Sequence, residues 1–84
     1  MDKLKRLAIN EEGFIFDPET GNSFVVNQTG LFILKKLREG LSEEEIIKQL
    51  TEEYEVDEDT ARRDLYDFLE QLRIYGLIDT PKVS

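Results

Sequence analysis

An α+β fold of winged-helix-like layout is predicted, with three short antiparallel strands at the N-terminus followed by a cluster of three helices. Three features of the 84-residue chain carry that expectation. The stretch "FDPETGNSFVVNQTG" (Phe16 to Gly30) turns the chain twice within fifteen residues. Two helix breaks follow, at Gly40 and around Asp57, and each is flanked by capping residues. Between and after them, apolar residues recur at helical rather than strand spacing.

Each element has its own local cause. "LKRLAIN" (Leu4 to Asn10) places Leu4, Leu7 and Ile9 in a loose alternation that suits an edge strand. Glu11, Glu12 and Gly13 turn the chain into "FIF" (Phe14 to Phe16), an aromatic and β-branched run with strong strand preference. In "DPETG", Asp17 opens a turn, Pro18 brings a fixed φ and Gly21 supplies a positive one. "SFVV" (Ser23 to Val26) returns antiparallel, because a parallel crossover needs about a dozen residues or more.

Asn27 or Thr29 caps the first helix, "GLFILKKLRE", whose Leu31, Ile33, Leu34 and Leu37 lie on one side. Gly40 ends it in the left-handed conformation. Ser42 and Glu45 form a capping box for "EEEIIKQLTEEY", which buries Ile46, Ile47 and Leu50. Asp57 caps the longest helix, "EDTARRDLYDFLEQLRIY", with Ala61, Leu65, Phe68 and Leu72 as its buried stripe. Gly76 closes it, Leu77 and Ile78 pack back, and residues 80–84 read as a frayed tail to a single domain spanning 1–84.

Composition excludes more than it assigns. With 39% hydrophobic and 36% charged residues the chain is suited to a globular fold rather than to disorder. A chain this short buries roughly 60–65% of its unfolded surface, enough for one modest core and no deep enzyme cleft. It has neither cysteine nor histidine, which removes thiolate nucleophiles, disulfides, ordinary zinc sites and imidazole acid–base chemistry. No catalytic residue, cofactor or metal is expected. The net charge of −8 repels phosphate, whereas nucleic-acid binders carry a basic face. No apolar run reaches the ~18 residues that span a bilayer, and no signal peptide precedes the fold, so a cytoplasmic protein without membrane contact is expected.

Once the elements are placed, the sequence resembles the PqqD-like family of small domains, also called RiPP precursor recognition elements. The resemblance rests on "DPETGNSFVVNQTG" running into "N-x-T-G" (Asn27 to Gly30), on "LREGLSEEEIIKQL", and on "YEVDEDTARRDLYDFLEQLRIYGLI". It extends from about Phe14 to Ile78, and the N-terminal ten residues match least well. It implies a non-catalytic peptide chaperone. Such domains bind the leader of a ribosomally made precursor peptide as an added strand, between the third strand and the third helix. They present it to a separate modifying enzyme such as a radical-SAM enzyme, a cyclase or a protease.

The sequence places the candidate peptide-binding residues on two elements. Ser23, Phe24, Val25, Val26 and Asn27 form the strand, which lacks the proline and charge that normally guard a free edge. Alternation assigns Phe24 and Val26 to the core and Val25 to the other face. On the third helix, a 100° step per residue groups Leu69, Arg62, Arg73 and Tyr66 on one flank. That flank would suit a peptide with apolar anchors and an acidic side chain. The opposite flank carries Asp64, Gln71 and Asp67, with Tyr75 nearer the core.

Plainer readings stand beside these. Asp57, Glu58, Asp59 and Glu43 to Glu45 favour the positive end of their helix dipoles. Two alternatives to peptide recognition remain. One is a winged-helix DNA-binding regulator, against which Asp64, Asp67 and Glu70 interleave with Arg62, Arg63 and Arg73. The other is an enzyme adaptor that reads no peptide.

Overall fold

The computed structural model describes residues 2–78. It contains helix α1 (Asp2–Lys5), strands β1 (Ala8–Ile9), β2 (Phe14–Asp17) and β3 (Asn22–Val25), and helices α2 (Gln28–Glu39), α3 (Glu43–Tyr54) and α4 (Glu58–Ile74). The three strands form one antiparallel sheet in the order β1-β2-β3, with the helices packed against one face. The expected tail at 80–84 lies outside the described residues.

One element differs from expectation. Leu4 to Asn10 is not a single strand: residues 2–5 form a helical turn, and only Ala8 and Ile9 pair with β2. Leu4 and Leu7 explain the difference. Both are fully enclosed in the core. A strand would send residues three apart to opposite faces, whereas a helical turn sends them to the same one. Burial therefore selects the turn.

The remaining elements follow their local signals. The Asn27 side chain accepts the Gly30 N–H at 2.8 Å, so Asn27 rather than Thr29 caps α2. At its other end, the Gly40 N–H reaches Leu37 and the Leu41 N–H reaches Lys36, the paired bonds of a Schellman ending. Ser42 and Glu45 exchange both bonds of the capping box. Asp57 caps α4 through the Thr60 N–H at 2.8 Å. Gly76, at φ +76°, lets the Leu77 N–H return to Leu72 at 2.9 Å, and this tucks Leu77 into the core.

The core is continuous from Leu4 and Ile15 through Ile33, Leu34, Ile46 and Leu50 to Leu65 and Leu72. The hairpin has a polar anchor. Asp17, only 2% exposed, accepts the Glu19 N–H at 2.9 Å and the Thr20 hydroxyl at 3.1 Å, and faces Lys3 Nζ at 3.2 Å. Burial pushes its pKa up, but the Glu19 N–H, Lys3 and Thr20 outweigh it and hold the carboxyl below its ordinary value.

Candidate functional site

The free edge of the sheet can be located residue by residue. β3 ends the strand order, and among the described residues no strand pairs with its other side. Phe14 stands opposite Val25, Ile15 opposite Phe24 and Phe16 opposite Ser23. The Asn10 N–H donates to the Phe14 carbonyl at 3.1 Å, so the backbone groups of Phe14 face β1. The Val26 N–H donates to the Gly13 carbonyl at 2.9 Å. Antiparallel pairs alternate between hydrogen-bonded and non-bonded. Phe24 and Val26 therefore bond inward to β2, while the N–H and C=O of Ser23 and Val25 point away from it. Among the described residues nothing bonds to the Ser23 and Val25 amides on that outer side.

Side chains alternate in the same rhythm. Val26 is buried, and Phe24 is half-buried and stacks on Tyr75 with ring centroids 4.4 Å apart. That contact ties β3 to the end of α4. Val25 is 62% exposed on the outer sheet face, beside Phe14 and Phe16. Ser23 and Asn27 are exposed as well.

The two flanks of α4 meet different neighbours. Arg62 reaches Glu44 of α3 at 3.2 Å and Glu58 of α4 at 2.8 Å, and the Tyr66 hydroxyl donates to Glu43 of α3 at 3.1 Å. The Glu44 and Glu58 carboxylates together raise the Arg62 pKa above its ordinary value. Leu69 packs half-buried on the core, and Arg73 pairs with Glu70. Arg62 and Tyr66 thus stand toward α3, and no hydrogen bond or ion pair joins any of these four to β3 among the described residues. Ser23 to Asn27 form one continuous strand and its exit into α2.

What lies beside the strand's exit is the opposite flank. An open cleft of about 410 Å³ runs between the start of α2 and α4. Asn27, Thr29, Gly30 and Ile33 form one wall, and Asp64, Asp67, Gln71 and Ile74 the other, with Phe68 as floor. Gly30 sets the depth at that point: a Cβ there would come within 2.9 Å of the Phe68 ring. A second depression of about 510 Å³, between α3 and the start of α4, adjoins no strand edge. Helical periodicity defines both flanks of α4 equally well, and only the packing of α2 decides which one faces Asn27. The aromatic pair Phe24–Tyr75 was the one sequence signal that could have chosen between them.

Among the described residues no helix is long and apolar enough to cross a membrane. A small antiparallel sheet whose β3 edge is unpaired among the described residues, followed by a long helix and flanked by a cleft, defines the class: a small α+β domain with room for an extended segment. A family profile described as Coenzyme PQQ synthesis protein D (PqqD) matches residues 12–78, and the chain belongs to that family. Among solved structures it is similar to "TbiB1 in Complex with the TbiA(beta) Leader Peptide", at 32% identity and TM-score 0.79, covering 92% of this chain and 91% of that one. It is similar too to "Lasso peptide synthetase B1 complexed with the leader peptide", at 30% identity and TM-score 0.73, covering 83% and 84%. Among curated proteins no match is found.

Proposed function

We propose that this chain is a non-catalytic peptide chaperone that takes the leader of a ribosomally made precursor as a fourth strand on β3. The outward-facing amides of Ser23 and Val25 carry the reading, because they offer a guest strand a ready ladder. Each main-chain bond gained contributes roughly 0.5–1.5 kcal/mol net, so pocketed side chains must supply the rest. The cleft beside the strand's exit is where they would go. Guest residues opposite Phe24 and Val26 would point inward toward α4, and those opposite Val25 would lie outward beside Phe14. The likeness to two proteins solved with leader peptides supports the same reading.

In this arrangement Ser23 and Val25 bond the guest, Phe24 and Val26 shape its inner side, and Asn27 marks the cleft mouth. The helix contribution comes from Asp64, Asp67, Gln71 and Ile74 rather than from Arg62, Tyr66, Leu69 and Arg73. The held precursor is presented in the cytoplasm to a separate radical-SAM enzyme, cyclase or protease. A DNA-binding role gains little from α4, since Arg62 and Arg73 are already committed to glutamates and Arg63 stands beside Asp64 and Asp67. The test is an NMR titration with synthetic leader peptides from precursor genes sought near the gene for this chain. Amide shifts are expected at Ser23, Val25 and the 64–74 flank of α4, and their absence at saturating peptide would refute the assignment. Val25→Pro should abolish capture while the protein stays folded.

A further inference from the structure

The charge of the cleft selects the guest. Asp64 and Asp67 lie three residues apart on α4, and Gln71 and Ile74 continue the same ridge. Among the described residues no lysine or arginine lines the cleft. Glu70 is paired with Arg73, but neither Asp64 nor Asp67 has an ion pair or hydrogen bond among the described residues. Unlike Glu52, Glu53, Glu55 and Asp59, which also lack ion pairs among the described residues but line no part of it, Asp64 and Asp67 stand in the wall of the cleft. The N-terminus of α2 across the cleft offers about half a positive charge, which accounts for one carboxylate only in part. Two unpaired carboxylates beside it leave the cleft negative by more than one charge. Asn27, Thr29, Glu70 and Gln71 complete its polar lining, and its apolar surface is the edge of Phe68 at the floor and Ile74, 70% exposed, at the rim.

We infer that the leader recognised here carries a lysine or arginine on the same face as an apolar anchor, the cation held by Asp64 and Asp67 and the anchor seated against Ile74 and the exposed edge of Phe68. The inference rests on the strand-addition reading, which supplies the extended backbone. Because an added strand alternates, the two side chains must lie an even number of positions apart, as at i and i+2. Strand addition sets affinity for any extended peptide, and this pair of contacts sets which peptide.

The test is selection from a phage-displayed library of random dodecapeptides against the full chain and against its Asp64→Asn/Asp67→Asn variant. Binders to the natural chain should be enriched in lysine or arginine at even spacing from an apolar residue. A selected peptide should bind the double variant roughly tenfold more weakly, the sum of two partly solvated ion pairs. Replacing its cation by glutamine should remove that difference. Unchanged thermal unfolding of the double variant separates lost binding from lost structure. If enriched peptides show no basic preference, or bind both proteins equally while Val25→Pro still abolishes capture, the inference falls and strand addition stands. If no peptide is enriched, or Val25→Pro changes nothing, both fall.

Discussion

The two flanks of α4 carry opposite charges and meet different surroundings. Toward α3, Arg62 and Tyr66 are met by Glu43, Glu44 and Glu58, so their polar groups already have partners. Toward α2 and the exit of β3, Asp64 and Asp67 face a cleft with no countercharge. One flank is an internal seam and the other is an unfinished one. Under the strand-addition proposal, the unfinished seam is where the guest's side chains would go.

The largest expected effect tests the ridge that both flanks share. Leu65→Ala should lower stability by about 2–5 kcal/mol in urea unfolding, since Leu65 is fully buried and leaves a cavity. Peptide affinity should fall only as far as the unfolded fraction dictates. Next comes a pair of proline substitutions on β3. Phe24→Pro removes an N–H that bonds to β2 and should lower the melting temperature by many degrees, whereas Val25→Pro removes one that points outward and should leave it nearly unchanged. Equal losses would show that the Val25 amide is internal. Arg62→Gln should be milder, a fall of a few degrees at most, because exposed ion pairs contribute little. It should leave peptide affinity unaltered, and a large loss of affinity would reverse the roles given to the flanks.

Acid should loosen the frame that holds both flanks. The Thr60 side chain and then the Thr60 N–H keep the Asp57 carboxyl below its ordinary pKa, and bonds from Arg6 and Lys3 do the same for Glu19. Depressed folded-state values mean that the stabilisation is complete above the unfolded value of about 4 and is lost as pH falls through the folded one. Urea midpoints should therefore hold steady from neutrality to mild acid and decline below that point. Asp57→Asn, which keeps a good cap without a titrating group, should flatten part of the decline.

Much of this was legible in the sequence because it is set locally. Ser42 with Glu45, Asp57 with Thr60, and Gly40 and Gly76 define helix ends through bonds within a few residues, and the stripes of α2, α3 and α4 are buried as their periodicity requires. Ser23 to Val26 could be recognised as an edge from what it lacks. Two features depended on distant partners. The Leu4–Leu7 pair became helical because the core, not the local alternation, decides which face is buried. The neighbour of each α4 flank depends on how α2 and α3 pack, and no periodicity within α4 encodes that.

The open edge of β3 has one more consequence. A row of free amides, uncharged and bordered by Phe14, Phe16 and Val25, is as inviting to a second copy of the chain as to a guest. The net charge of −8 supplies the counterweight, since two such molecules repel each other on approach. Concentrated salt weakens that barrier. The empty form is thus best kept at low ionic strength, and an occupied edge serves as its own protection against self-association.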